Sequence, residues 1–323
     1  MQNKSSVDTA CVRSAKADLI LVNPAAGGGH AMNALPALQT YATRTGWDVA
    51  FQVASSASDL SRRAQAAAAA EQECILILGG DGSFQVLANA LINFPRVVLG
   101  ILPAGCGNDL AKALGLPQDP VRAAKLLRNA DVVAIDAAKV KTSDGKTRLF
   151  TGGGGVGLDA EASRIAATHY RGLSGRFRYL FSAARAYSGC KPIRLHVRME
   201  LSDGSQETLT SKLLLLGVLN TPSYGAGLRF APEAKISDGI LDLVFVEDLP
   251  LLEILQALPR LVFQGEVRSR RVRRFSVRKV IIEADRPCCI HGDGEIFGFT
   301  PAEVEIVPQA FRVLRPRKQL SEP

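Results

Sequence analysis

Cys74-Ile-Leu-Ile-Leu78 is an apolar run of strand length that passes without a break into Gly79-Gly80-Asp81-Gly82-Ser83. A short apolar run closed by a glycine turn reads as a buried strand, and residues 84–92 then suit a helix. The same arrangement lies on either side. Residues 18–23 form an apolar run ending at Asn23-Pro24-Ala25-Ala26-Gly27-Gly28-Gly29, and residues 97–101 form another that leads to Pro103-Ala104-Gly105-Cys106-Gly107-Asn108-Asp109. Helices are expected at 30–45 and 58–71, the second rich in alanine, with a further strand at 47–53. Strand and helix alternate throughout 18–128, the pattern of βαβ units on a parallel sheet.

The pattern changes near Asp131. Ile193, Leu195, Val197, Met199 and Leu201 are apolar and the residues between them are polar, so the segment reads as a half-buried strand. Asp203-Gly204 turns it into a second run at 208–219, as a hairpin would, and Ser143-Asp144-Gly145 marks another hairpin. Further strands are expected at 240–246, 277–283 and 304–306, with helices at 159–187, broken at Gly172, and at 250–263. A mainly antiparallel second half of this kind buries itself as a β-sandwich. The expected division is an α/β domain at 17–130, completed by 307–318, and a β-sandwich domain at 131–306. Residues 1–16 and 319–323 are flexible tails.

With 47% hydrophobic and 22% charged residues in 323, the chain has enough apolar side chain to exclude disorder as its main state. No stretch reaches the length of a transmembrane helix, and the polar N-terminus argues against a signal peptide. The cytoplasm is the expected compartment. The six cysteines contain no CxxC pair, which favours reduced thiols. A net charge of +8 favours an anionic partner. Arg268, Arg270, Arg271, Arg273, Arg274, Arg278 and Lys279 crowd one segment, and Arg171, Arg176, Arg178, Arg185, Lys191, Arg194 and Arg198 form a second group.

Three glycine-rich turns at the ends of successive parallel strands converge on one sheet edge, where ligands bind. Glycine lets backbone approach phosphate, and the following helix offers free N–H groups. None of the turns is a GxGxxG or a GxxxxGK[ST], so a plain dinucleotide fold and a P-loop are disfavoured. Asp81 and Asp109 beside phosphate suggest Mg²⁺ held partly through water. The alternative for each is a helix N-cap.

Gly79-Gly80-Asp81-Gly82-Ser83 with Asn89, followed by Leu102-Pro-Ala-Gly-Cys-Gly-Asn-Asp-Leu-Ala111, resembles the diacylglycerol kinase catalytic-domain family, which includes bacterial lipid kinases and sphingosine kinases. Tyr224-Gly225-Ala-Gly227, Ala231-Pro-Glu-Ala234 and Asp238-Gly-Ile-Leu-Asp242 are similar to its second-domain signature, and Asp293-Gly294-Glu295 to its late Asp-Gly-Glu. The resemblance spans about residues 17–315. It implies a Rossmann-like, NAD-kinase-like first domain that binds ATP, a β-sandwich second domain and an active site between them. Asn23, Pro24, Ala25, Ala26, Gly27, Ser55, Gly79, Gly80, Asp81, Gly82, Ser83, Phe84, Gln85 and Cys106 fall where the family binds nucleotide. Asn108 and Asp109 fall near its phosphates. Asp238, with the carbonyls of Lys235 and Ile240, falls where bacterial relatives hold Mg²⁺. Asp293 is the expected general base and Glu295 its partner or alternative. Asp293-Gly294 and Asp238-Gly239 also read as plain turns.

Cys106 stands where the family has Thr and is a weaker hydrogen-bond partner. Val86 stands where many relatives have Glu, which leaves Gln85 as the nearest polar residue. His291, two residues from Asp293, either tunes that carboxylate or packs in a strand.

The expected function is transfer of the ATP γ-phosphoryl group to a lipid hydroxyl, of diacylglycerol or a related lipid, at the cytoplasmic face of the membrane. The basic clusters would dock transiently on anionic lipid, and phospholipid is favoured over nucleic acid. The alternatives are a kinase of a soluble substrate, as NAD kinases are, and a non-catalytic nucleotide-binding protein. The acceptor lipid and the oligomeric state, a homodimer included, stay open.

Overall fold

The computed structural model describes residues 18–168, 175–189, 191–225, 227–250, 253 and 269–317. The tails expected at 1–16 and 319–323 lie outside these residues, as does most of the helix expected at 250–263. In chain order the first half comprises β1 (Asp18–Val22), α1 (His30–Thr45), β2 (Val49–Val53), α2 (Ala57–Ala69), β3 (Cys74–Gly79), α3 (Asp81–Ala90), β4 (Val98–Pro103), α4 (Asp109–Ala113) and α5 (Pro120–Leu127). A 3-10 turn at Ala26–Gly28 precedes α1. All these strands pair in parallel, in the order β4-β3-β1-β2. β3 and β4 are apolar on both faces because helices cover both. The chain steps from β1 to β2 on one side and returns past β1 to β3 on the other. The winding therefore reverses between β1 and β3, and a crevice opens beyond their C-terminal ends.

The second half comprises β5 (Asp131–Thr142), β6 (Thr147–Phe150), β7 (Gly153–Gly157), α6 (Leu158–Thr168), α7 (Gly175–Gly189), β8 (Ile193–Leu201), β9 (Gln206–Leu219), β10 (Leu241–Glu247), β11 (Val272–Ala284), β12 (Cys289–Gly292), β13 (Glu295–Phe299) and β14 (Ala302–Arg315). Here the pairings are antiparallel, including β8 with β9 and β5 with β6, the two hairpins read from the sequence. In β8, Ile193, Leu195, Val197 and Met199 are buried while Arg194 and Arg198 are exposed, as alternation requires. Two separate helices, α6 and α7, stand where one broken helix is expected.

β14 joins the halves. Its first part pairs antiparallel with β11, and beyond an irregularity between Val307 and Phe311 its Arg312 and Val313 pair parallel with β4. β5 follows it on both sides of that irregularity. Among the described residues, two large hydrophobic cores result, with two smaller clusters beside them. One contains Ile20, Leu76, Leu78, Phe84, Leu102 and Val313, the other Val156, Val197, Leu216, Phe245, Val280 and Phe297. Each fully buried side chain of this size stabilises the fold by about 1.5–3 kcal/mol.

Candidate active site

A cleft of about 770 Å³ lies at the C-terminal ends of β1 and β3. The first half lines it with Asn23, Ala25, Ala26, Gly27, Gly80, Asp81, Gly82, Ser83, Gly105, Cys106 and Asp109. The second half closes it with Gly152, Gly153, Ser223, Tyr224, His291, Asp293, Gly294 and Glu295. Motifs more than 200 residues apart in sequence, such as Asp81 and Asp293, therefore share one space.

The three glycine loops are tied together. The Asn23 amide donates to Ser83 Oγ at 2.8 Å, and its carbonyl oxygen accepts from Ala25 N at 3.1 Å. Gly80 and Gly105 lie back to back: a Cβ on Gly105 would sit 2.5 Å from Gly80 Cα, so neither position has room for a side chain. Asn108, in a left-handed conformation, accepts from Gly105 N at 2.8 Å and donates to Gly105 O at 3.0 Å, which fixes the third loop around its own cap position. Phe84 is fully buried beneath α3 and anchors that helix.

The helix starts fall into two kinds. α2 and α5 begin with a side-chain cap, from Ser56 and Asp119, although Ser56 and Ala57 also line the cleft. α1 and α3 begin at the cleft with no side-chain cap, which leaves their first N–H groups available to an anion. α4 is capped from a distance. Asp81 accepts from Asp109 N and Leu110 N, both at 3.1 Å, so the N-cap alternative for Asp81 holds for a helix other than its own. Asp109 reaches the other half, where its Oδ1 accepts from Ser223 Oγ at 2.7 Å and pairs with Lys112 Nζ at 3.2 Å. Burial, and then the neighbouring carboxylates Asp109 and Asp293, push the Asp81 carboxyl well above its ordinary range.

Ser55 stands at the edge of the arrangement. Its N–H and Oγ both donate to Asp59 Oδ2, at 2.9 and 3.2 Å, and the cleft lining passes instead through Ala54, Ser56 and Ala57. Pro24 is not among the lining residues either. Gln85 is buried and its amide donates to Gly292 O at 3.0 Å. It thus holds the backbone just before Asp293, while Val86 lines the cleft. Asn89 grips β6 through paired bonds with Leu149 N and O, both at 2.9 Å.

Asp293 and Gly294 connect β12 to β13 with positive φ at both residues, 49° and 88°, the geometry of a tight hairpin turn. The turn reading and the site reading of this dipeptide are compatible, because the turn is what presents the carboxylate. Asp293 Oδ1 accepts from Gly152 N at 3.0 Å and Gly153 N at 3.1 Å, and Oδ2 accepts from Thr151 N at 3.0 Å. Burial pushes its carboxyl up to about 6, against the opposing pull of these amides. Glu295 is exposed at the start of β13 and also lines the cleft.

The loop of Lys235, Asp238 and Ile240 lies apart from the cleft lining. It is bound to the body of the protein by Asp136, a buried residue that sequence reasoning passes over. Asp136 Oδ2 accepts from Gly239 N at 2.7 Å, Oδ1 from Gln309 N at 2.8 Å, and its N–H donates to Ile236 O at 2.7 Å. Asp238 Oδ1 accepts from Ile240 N at 3.2 Å, and burial raises its carboxyl. Burial, and then Asp238, push the nearby Asp242 up to about 6. Among the described residues no group of three or more His, Cys, Asp or Glu is arranged to hold a metal.

Within the basic segment, Arg271 donates to Asp248 O, Arg273 pairs with Glu247 at 3.2 Å, and Arg274 donates to Phe230 O at 3.0 Å. Arg268 lies outside the described residues. Among those described, no helix is long and apolar enough to cross a membrane.

The run Gly152-Gly153-Gly154-Gly155 is the principal feature that sequence reasoning missed. Consecutive glycines weaken strand propensity, yet the glycines at 153–155 open β7, and Gly152 and Gly153 line the cleft. The available signal was the absence of any side chain over four residues next to an apolar strand end, which marks close backbone approach.

Comparison with known proteins agrees with this geometry. Residues 18–140 match the model of the diacylglycerol kinase catalytic domain, and residues 152–315 match that of the YegS C-terminal NAD kinase beta sandwich-like domain. A diacylglycerol kinase of Mycobacterium tuberculosis is 31% identical over 300 residues, covering 92% of this chain and 94% of its own length. A diacylglycerol kinase of Bacillus subtilis is 23% identical, over 94% of this chain and 97% of its own. The crystal structure of a diacylglycerol kinase from Bacillus anthracis shares the fold, with a TM-score of 0.70 at 21% identity over 93% of this chain and 97% of that one. With both halves matched in order along nearly the full chain, this protein belongs to the diacylglycerol kinase family of lipid kinases.

Proposed function

We propose that this protein transfers the γ-phosphoryl group of ATP to the hydroxyl of a lipid, diacylglycerol or a related alcohol, at the cytoplasmic membrane face. The observation that carries the reading is the convergence on one cleft of three glycine loops from the parallel half and the Asp293 carboxylate from the sandwich half. Kinase chemistry needs a cradle for phosphates on one side and a proton acceptor on the other.

In this reading the open amides at the starts of α1 and α3 hold the phosphates, and Asn23 and Asn108 keep the loops in place. Asp293 removes the proton of the acceptor hydroxyl. Its Oδ2 accepts one amide where Oδ1 accepts two, so Oδ2 keeps more capacity for that proton. The acceptor oxygen bonds to the γ-phosphorus, the bond from that phosphorus to the β–γ bridging oxygen breaks, and ADP leaves. Glu295, exposed at the cleft, is the residue next placed to assist.

Two oxygen-donor sets are the proposed places for Mg²⁺. Asp81 and Asp109 bring buried negative charge to the loops with Lys112 as the paired cation, and a hard cation there would complete its shell with phosphate and water. Asp238 with the carbonyls of Lys235 and Ile240 offers an all-oxygen set in a rigidly held loop. Bound Mg²⁺ would supply charge neutralisation at the phosphates in the first place and loop order in the second.

The basic residues of the second half, and α7 with its exposed Phe181, are the surface proposed to meet anionic lipid transiently. The test is incubation of purified protein with γ-labelled ATP and a total lipid extract, resolved by thin-layer chromatography. Label on a lipid spot is expected, and the spot names the acceptor. Label that stays wholly in the aqueous phase rejects the lipid reading.

A further inference from the structure

Beneath Asp293 lies a buried polar cluster that the proposed chemistry does not use. Tyr224 Oη lies 3.0 Å from Asp159 Oδ2 and 2.5 Å from His291 Nε2, and His291 Nε2 lies 3.0 Å from Asp159 Oδ2. The three residues are 7%, 5% and 0% exposed. His291 and Tyr224 nevertheless line the cleft.

We infer that Tyr224, His291 and Asp159 form a positioning cluster that locks β12 onto β7 and so sets where the Asp293 carboxylate meets the acceptor hydroxyl. The inference rests on the reading of Asp293 as the base. The glycine run carries it. A Cβ on Gly152 would sit 2.6 Å from Asp293 Oδ1, one on Gly153 2.8 Å from the Tyr224 ring, one on Gly154 2.2 Å from His291 O, and one on Gly155 2.6 Å from Asp159 Oδ2. Each glycine thus leaves space that Asp293 or a cluster member uses, shared at Gly153 with the Leu219 side chain at 2.7 Å and at Gly155 with Leu216 O at 2.3 Å. β12 pairs with β7 through His291↔Gly155 and Gly292↔Gly154, and Asp293 N continues the ladder to Gly153 O at 2.8 Å. A shift of His291 therefore moves Asp293, two residues along the same backbone.

The chemistry of the cluster points away from a purely structural role. Asp159 Oδ2 accepts from the Tyr224 hydroxyl and from His291 Nε2–H, and Oδ1 accepts from Ala160 N at 2.8 Å. His291 Nδ1 is buried without a hydrogen-bond partner among the described residues. An unmet buried polar atom destabilises a fold, and an apolar side chain would avoid that. Burial dominates at the Asp293 carboxyl, and the imidazole nearby acts on it in the opposite direction. The carboxylates near this pair are Asp159 from α6, bonded to His291, and Asp81 from α3, beside Asp293. On α6, Glu161 and Arg164 neutralise one another.

The test uses the full chain and the lipid phosphorylation assay over a pH series, with Tyr224→Phe, His291→Leu, His291→Gln and Asp293→Asn, each checked for folding by circular dichroism. His291→Leu and Tyr224→Phe are expected to lower kcat about tenfold or more, with KM for ATP within about twofold of the parent. His291→Gln, whose amide can still donate to Asp159, restores most of kcat, which a loss of packing alone would not allow. Parent-like kcat in His291→Leu and Tyr224→Phe, with Asp293→Asn inactive, overturns the inference alone. A loss confined to KM for the lipid overturns it too, since the cluster would then be a contact for the acceptor. If Asp293→Asn keeps its turnover, the reading of the base and this inference fall together.

Discussion

Two glycine-rich regions face each other across the cleft, and glycine is there for different reasons. In the first loop Gly28 and Gly29 have positive φ, 68° and 99°, and an added Cβ would meet nothing within 4 Å. In β7 the glycines at 152–155 have no such φ, but an added Cβ would meet neighbours at 2.2–2.8 Å. The first region needs the backbone freedom of glycine, and at Gly28 and Gly29 it keeps open space that a ligand can fill, while Gly27 (φ 60°) also packs against Ala104 O, 2.2 Å from an added Cβ. The second needs its lack of a side chain, because another part of the same protein fills the space. A glycine-rich motif therefore marks close approach, and only the tertiary structure says whether a ligand or the protein itself approaches.

The comparison breaks most decisively at Asp293, the residue seated on the second region. Asp293→Asn is expected to lower kcat by about 10²–10⁴-fold, the usual span for loss of a general base. Single-turnover transfer from labelled ATP reads it, and a loss below tenfold removes Asp293 from the role. Next comes Gly154→Ala, whose methyl would overlap His291 O. A destabilisation of about 3 kcal/mol or more is expected by chemical denaturation, with activity lost alongside. A variant as stable as the parent would show that β7 has slack and that its glycines are incidental.

Gly28→Ala sharpens the other side. It meets no steric obstacle but forces a left-handed conformation on alanine, which costs about 1–2 kcal/mol. Its expected signature is a raised KM for ATP with KM for the lipid unchanged. An equal rise in both would erase the distinction between the two regions.

The smallest expected effect is a pH dependence. The Asp293 carboxyl, raised to about 6, must be ionised to accept a proton, so kcat/KM should climb with pH through about 6 and level above it. The sign for stability is opposite. A carboxyl raised on folding favours the protonated folded state, so its contribution weakens as pH rises from the ordinary carboxylate range to about 6. Activity and stability limbs of opposite slope in that window, both absent in Asp293→Asn, are the expected pattern.

Much of this architecture was legible in the residues. β1, β3 and β4 announce themselves as apolar runs ending in glycine, and β8 by its alternation, because burial on two faces or on one leaves a direct trace in hydropathy. Asp81 and Asp293 were legible as candidates by their loops, and both line the cleft. That Asp81 caps α4 was not, since the bond spans 28 residues and leaves no local spacing to read. β7 was invisible as a strand because all its residues but Val156 are glycines, which form no hydropathy pattern. The Tyr224–His291–Asp159 cluster was scattered over three segments, each of which taken alone reads as core or turn.

The sequence by itself determined the two-part organisation, the parallel and antiparallel character of the halves and the loops at which chemistry would gather. These follow from local periodicity and from turn chemistry, which short stretches of chain express independently. The tertiary structure alone decided that β14 belongs to both sheets, that the glycines of β7 are a seat for Asp293, and that Asp109 reaches Ser223 across the cleft. Those arrangements depend on strand register and on contacts between distant segments, and a register is fixed only when the whole sheet is assembled around its cores.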